Sequence, residues 1–119
     1  MGYLFELNNQ DIWSPSKTVA ELFLRQSALL TDWTRCDIGF YQNMSDVVEI
    51  EMGSLQACLK VAIAQYEISN NISLKMLFHA TIIHLIAIYI RCDGDLEALA
   101  ATDKELTSEA IKLLRHMPK

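Results

Sequence analysis

The chain has 119 residues, 51% of them hydrophobic and 21% charged, and fifteen Asp and Glu against ten Lys and Arg leave a formal net charge of −5. That length predicts one domain, 1–119, with about two-thirds of the unfolded surface buried and a core that needs no staples. Two Pro and four Gly beside so many apolar residues exclude a disordered or collagen-like chain, and the acidic balance argues against direct contact with nucleic acid or anionic lipid, both of which need clustered Lys and Arg.

In chain order, the opening MGYLFELNNQDIW carries neither a basic region nor a sustained apolar run, so no signal peptide is expected there. Residues 3–7 fit a short strand or an apolar arm. Ser14-Pro15 and the Thr18-x-x-Glu21 box start a helix over 15–35, in which Val19, Leu22, Phe23, Gln26, Leu29, Leu30 and Trp33 recur at three- and four-residue steps. Residues 39–45 read as a loop. Val48, Met52, Leu55, Leu59, Ala62 and Tyr66 then form one stripe, which predicts a helix over 46–69 capped at Ser45 or Asp46. Val47 to Met52 is β-branched and partly alternating, and Gly53 costs a helix interior about 1 kcal/mol relative to Ala. A strand at 47–52 is therefore the alternative, with 3–7 as its only partner.

Asn70-Asn71 stops that helix, and Ser73 caps a third over 74–92. This one is apolar nearly all round, which places it at the centre of the molecule. Its uncharged stretch, 76–90, spans about 22 Å, short of a hydrocarbon core of about 30 Å, so a buried helix is expected and not a membrane span. Residues 95–101 form a short helical piece, and Thr102-x-x-Glu105 opens a last helix over 103–117. The predicted architecture is all-α: a single-domain bundle of four main helices, 15–35, 46–69, 74–92 and 103–117, plus the piece 95–101. A small β-hairpin from 3–7 and 47–52 is the alternative. Arg35-Cys36-Asp37 and Arg91-Cys92-Asp93 echo one another 56 residues apart, as a duplicated helical hairpin or a chance match would produce.

No catalytic, metal-binding or cofactor-binding residue is assigned. His79 and His84 lie about 140° apart on a helix and do not share a ligating face. Asp93-Gly94-Asp95 lacks the order of an EF-hand loop, and no phosphate-cradling or GxSxG motif occurs. Cys36, Cys58 and Cys92 are odd in number, far apart and without a CxxC, so a reducing cytoplasm is expected, with the thiols as small buried hydrophobes.

The charge distribution has geometric content. Residues 36–59 hold four acids and no base, and 93–109 hold six acids and one base. In an up-and-down bundle these blocks meet at one pole, which gives a candidate partner-binding set of Asp37, Asp46, Glu49, Glu51, Asp93, Asp95, Glu97, Asp103 and Glu105. Part of this is ordinary dipole complementarity at helix starts, but Asp37, Asp93, Asp95 and Glu97 sit where negative charge is unfavourable, and Arg35 and Arg91 are placed to offset them. The expectation is a non-enzymatic cytoplasmic protein that docks on a basic protein partner and inhibits it. In size, charge and lack of catalytic signals it is similar to bacterial immunity proteins that cover the active site of a nuclease toxin, and to phage-encoded nuclease inhibitors. A homo-oligomeric helical module, using the surplus apolar surface as an interface, is the second expectation. The third is an enzyme or small-molecule site reaching His79 or His84.

Overall fold

A computed structural model describes residues 2–44, 46–99 and 104–119. The order of elements is β1 (Leu4–Leu7), β2 (Gln10–Trp13), α1 (Lys17–Thr34), β3 (Phe40–Met44), β4 (Val47–Ile50), α2 (Met52–Ile68), α3 (Ile72–Arg91), a 3₁₀ turn (Leu96–Leu99) and α4 (Lys104–Leu114). The fold is mixed α/β, which corrects the all-α bundle: four helices carry a four-stranded sheet of order β2-β1-β4-β3. Segments 3–7 and 47–52 do pair, but as neighbouring parallel strands and not as a hairpin, with Leu4, Phe5 and Glu6 opposite Val47, Val48 and Glu49.

Each strand has a local cause. Asn8 and Asn9 both take the left-handed conformation, φ 50° and 67°, which makes the two-residue turn that joins β1 to β2. In β4 the side chains alternate, with Val48 and Ile50 buried and Glu49 exposed, as a half-buried strand requires. The stripe that ran back from α2 through Val48 is a coincidence of a strand leading straight into a helix. The cap of α2 is Glu51, whose carboxylate accepts the amides of Gly53 at 3.1 Å and Ser54 at 2.6 Å, so Gly53 lies in the first turn and costs little. The stretch expected as a loop at 39–45 contains β3, antiparallel to β4. Gly39 makes that approach possible: at φ +83° a Cβ would stand 2.5 Å from the Glu51 carbonyl, where the Glu51 amide donates to the Gly39 carbonyl at 2.8 Å.

The remaining caps differ from expectation by a residue or two. Ser16 caps α1, and Asn71 caps α3 by accepting the Leu74 amide at 3.1 Å. The expected cap at Ser45 and the Thr102 box lie outside the described residues. The echo around Arg35 and Arg91 does not extend to architecture, since α1 is followed by strands and α3 by a 3₁₀ turn and a helix.

The inner face of the sheet packs on the helices through an aromatic cluster. Phe5, Trp13 and Phe40 meet Phe23 of α1, and Trp13 and Phe23 meet His84 of α3, all with ring centroids 5.2–5.8 Å apart. Helix α3 is long and apolar enough to cross a membrane by length and composition. Its C-terminal half is enclosed by protein: Leu85 to Tyr89 are all buried. Tyr89 reaches over Gly94, whose Cβ would stand 2.5 Å from the ring, and its hydroxyl donates to the Asp95 carbonyl at 2.7 Å.

Arg91 closes the fold. Its guanidinium donates to the carbonyls of Ile12 at 3.0 Å, Met117 at 2.7 Å and Leu114 at 2.8 Å, joining the end of α3 to β2, to the end of α4 and to the chain after it. It is thus occupied with backbone oxygens, and not with the acids that follow it. Arg91→Ala leaves three carbonyls without their donor and is expected to cost about 2–4 kcal/mol. Arg91→Lys, which lacks the planar fork, recovers only part of that in urea unfolding.

Candidate acidic interface

The outer face of the sheet carries the acids. Reading across the strands, Asp11 of β2 stands opposite Glu6 of β1, Glu6 opposite Glu49 of β4, and Glu49 opposite Tyr41 of β3. Directly paired side chains are about 5 Å apart and adjacent strands about 4.8 Å, so this is one row spanning the sheet, with three carboxylates in succession. Asp11, Glu49 and Tyr41 are exposed and Glu6 is half-buried. Among the described residues none of the three acids is ion-paired.

Tyr41 links the row to the loop after α1. Its hydroxyl donates to Asp37 Oδ2 at 2.5 Å, and the Gly39 amide donates to Asp37 Oδ1 at 2.9 Å. These two bonds hold the Asp37 carboxyl below its ordinary range, and the Tyr41 phenol is pushed up because Asp37 accepts its proton's bond. Glu51 is likewise held low, by its bonds to Ser54 and Gly53, while Asp37 nearby opposes that shift. Asp37, Tyr41, Glu49 and Glu51 therefore form one charged edge at the start of α2.

The second acidic block reaches the same helix from another side. The Tyr89 hydroxyl that holds Asp95 also lies 3.4 Å from Oε1 of Gln56, five residues beyond the Glu51 cap, and the 3₁₀ turn with Glu97 packs on α2. Asp93 is exposed at φ 60°, just after α3, and Glu105 is exposed in the first turn of α4. Asp46 is not part of this edge: it precedes β4, at the opposite end of the strand from Glu51, where its carbonyl accepts the Leu4 amide at 2.8 Å. Asp103 lies outside the described residues. Glu6 and Asp11 were missed, although Asn8-Asn9 between two apolar runs was a hairpin signal that would have found them.

The histidines are built into the helices. His79 Nδ1 lies 2.7 Å from the Tyr66 hydroxyl and Nε2 3.0 Å from Glu109, so one ring ties α2, α3 and α4 together. With Nε2 protonated, Tyr66 donates to Nδ1 and the chain of bonds runs through to the carboxylate. His84 Nδ1 donates to the Ala80 carbonyl at 2.7 Å. Both rings line a shallow groove between α3 and α4, but among the described residues no Ser, Thr or Cys is hydrogen-bonded to either. No group of three ligating side chains suited to a metal occurs among the described residues.

Comparison with known proteins finds a match over residues 1–119 to a family of unknown function, DUF6086, and the chain belongs to that family. No curated protein and no solved structure matches.

Like charges directly opposite one another destabilise a sheet. Glu49→Gln is therefore expected to stabilise the fold by several tenths of a kcal/mol at low ionic strength, with the gain shrinking as salt is added. For Asp37 and Glu51 the sign is opposite. Their folded values are depressed, so their contribution is present above the unfolded carboxyl values, about 4, and is lost as pH falls below that through the folded values. Asp37→Asn and Glu51→Gln should both flatten the acid limb of a stability-against-pH profile.

Proposed function

We propose that this protein acts by binding, not by catalysis: the acidic outer face of its sheet docks on a basic protein partner and masks it, in the manner of an immunity protein that covers a nuclease toxin. The observation that carries the reading is the row Asp11, Glu6 and Glu49, continued by Asp37 and Glu51. Three carboxylates spaced by a strand's width, with no base among them, present a regular array of negative charge to solvent. A surface that binds phosphate backbones presents complementary cations, so such an array can steer association and occupy the site. The sheet gives it a rigid backing, since Phe5, Val48 and Ile50 on the reverse face are buried in the core.

The test is co-expression with a toxic basic nuclease encoded beside the gene, followed by binding measurements on the purified pair. Protection from the toxin is expected, with affinity falling about tenfold or more between about 50 and about 200 mM salt. The double reversal Glu6→Lys and Glu49→Lys should abolish protection while the circular dichroism spectrum is retained. Binding indifferent to salt, or a double variant that protects as well as the wild type, would sink the proposal.

A second reading, a homodimer, is favoured by a different surface. Val19, Leu22 and Leu29 are exposed along α1, and Ile72, Met76 and Leu77 along the N-terminal half of α3, with Leu22 61% and Leu77 72% accessible. A groove of about 190 Å³ runs between these helices, lined by Val19, Leu22, Gln26, Leu77, Ala80 and His84 among others, without a Lys, Arg, Asp or Glu. Ile68 at the end of α2 is exposed as well, so large apolar side chains of three helices are left open to solvent. A second copy, presenting the same uncharged stripe, is the occupant that matches it in kind. Light scattering should give a dimer that Leu22→Glu with Leu77→Glu converts to a folded monomer. A wild-type monomer at high concentration rules the dimer out.

A further inference from the structure

Cys36 and Cys58 are 22 residues apart in sequence, yet their sulfurs lie 2.6 Å apart, well inside the contact distance of two unbonded sulfurs and approaching the about 2.05 Å of a disulfide. The approach is built by the local fold. Arg35 takes the left-handed conformation at φ 57°, with its amide on the Thr31 carbonyl at 2.6 Å, and this turns Cys36 back from the end of α1 onto α2. Thr34 Oγ1 stands 3.0 Å from the Cys36 sulfur and 3.8 Å from that of Cys58, while donating to the Leu30 carbonyl at 2.9 Å. Beyond Cys36 the loop is pinned again at Gly39 and Glu51.

We propose that Cys36 and Cys58 form an oxidisable dithiol, a covalent modification site at which a peroxide or a small-molecule disulfide converts the pair into an intramolecular cross-link between the end of α1 and α2. With hydrogen peroxide the balance is two thiols plus one peroxide giving one disulfide and two waters. Cys36, half-buried, is the sulfur a reagent reaches: it attacks a peroxide oxygen, the O–O bond breaks, water leaves and a sulfenic acid forms. Cys58, fully enclosed, then attacks that sulfur. Its proton passes to the departing hydroxyl, which leaves as the second water. Burial and the hydrogen bond to Cys36 push the Cys58 thiol up to about 12, so it waits as a neutral thiol rather than competing for reagent. Cys92 is a free, buried thiol, pushed up to about 11 chiefly by that burial. It takes no part.

The cross-link rests on this geometry alone and is separable from any partner of the acidic face. Its test is treatment of the purified protein with hydrogen peroxide and, separately, with oxidised glutathione. Denatured thiol titration should fall from three to one, the intact mass by about 2 Da, and peptide mapping should join Cys36 to Cys58, all reversed by dithiothreitol. Closing a loop of this length should raise the Tm on the order of 10 °C over the reduced protein. Cys92→Ala should still form the bond, and Cys36→Ser should not. A bond that includes Cys92, a bond between chains, oxygen added at Cys36 without loss of the second thiol, or an oxidised form no more stable than the reduced one overturns the proposal. The mapping and Tm arms use the wild-type chain and stand even if a variant fails to fold.

Discussion

Everything in this fold answers to one constraint: the C-terminal half of α3 has no face that tolerates water. Thr81 to Ile83 and Leu85 to Tyr89 are buried in succession, a run that cannot lie on a surface. Helices α1, α2 and α4 and strand β2 all pack on α3, and together they enclose it. The exit from α3 is fixed as firmly as its body. Arg91 spends its guanidinium on three carbonyls, and the Tyr89 ring fills the space that Gly94 leaves open. Because the helices lie on one side of the sheet, that side must be apolar and the other is free to be charged.

How much of this was legible follows from the range over which each signal acts. The helices α1, α3 and α4 announce themselves by apolar residues at three- and four-residue steps, which is local information. The strands are four or five residues long, too short for alternation to outweigh a neighbouring helical stripe, so Val48 was absorbed into α2. Charge at Asp37, Glu49, Glu51 and Asp95 is visible in the sequence, which assigns it to the pole of a bundle that the mixed α/β fold does not form. The row itself was not visible. Glu6, Asp11 and Glu49 are neighbours only through strand pairing, and no spacing in the sequence encodes a parallel register between segments 43 residues apart. The Cys36–Cys58 contact was hidden for the same reason, since it depends on a left-handed Arg35 and on the docking of α2.

Charged residues on sheet edges are a common guard against edge-to-edge pairing. That account fits Asp11, which lies on the edge strand β2. It does not fit Glu6 and Glu49, because β1 and β4 are the two central strands and already have partners on both sides. Nor is helix-dipole complementarity available to them, since neither is in a helix. Placing two carboxylates opposite one another in the middle of a sheet works against stability, and within the described residues nothing neutralises them. That unrelieved repulsion in the middle of the sheet is the observation on which the proposed docking to a cationic partner rests.

The two proposed interaction surfaces do not compete. Helix α1 presents Phe23 to the inner face of the sheet, and its exposed Val19 and Leu22 flank that ring along the groove toward α3. The acids lie beyond the sheet, on the far side of the same layer. A dimer built on α1 and α3 would thus leave both acidic faces open, and two copies held together would double the local density of negative charge offered to a partner. The dithiol lies where the end of α1 meets α2, and the loop it would fix carries Asp37 into the hydrogen bond with Tyr41. Oxidation there would stiffen the support of the charged edge from Cys36, the residue next to Asp37.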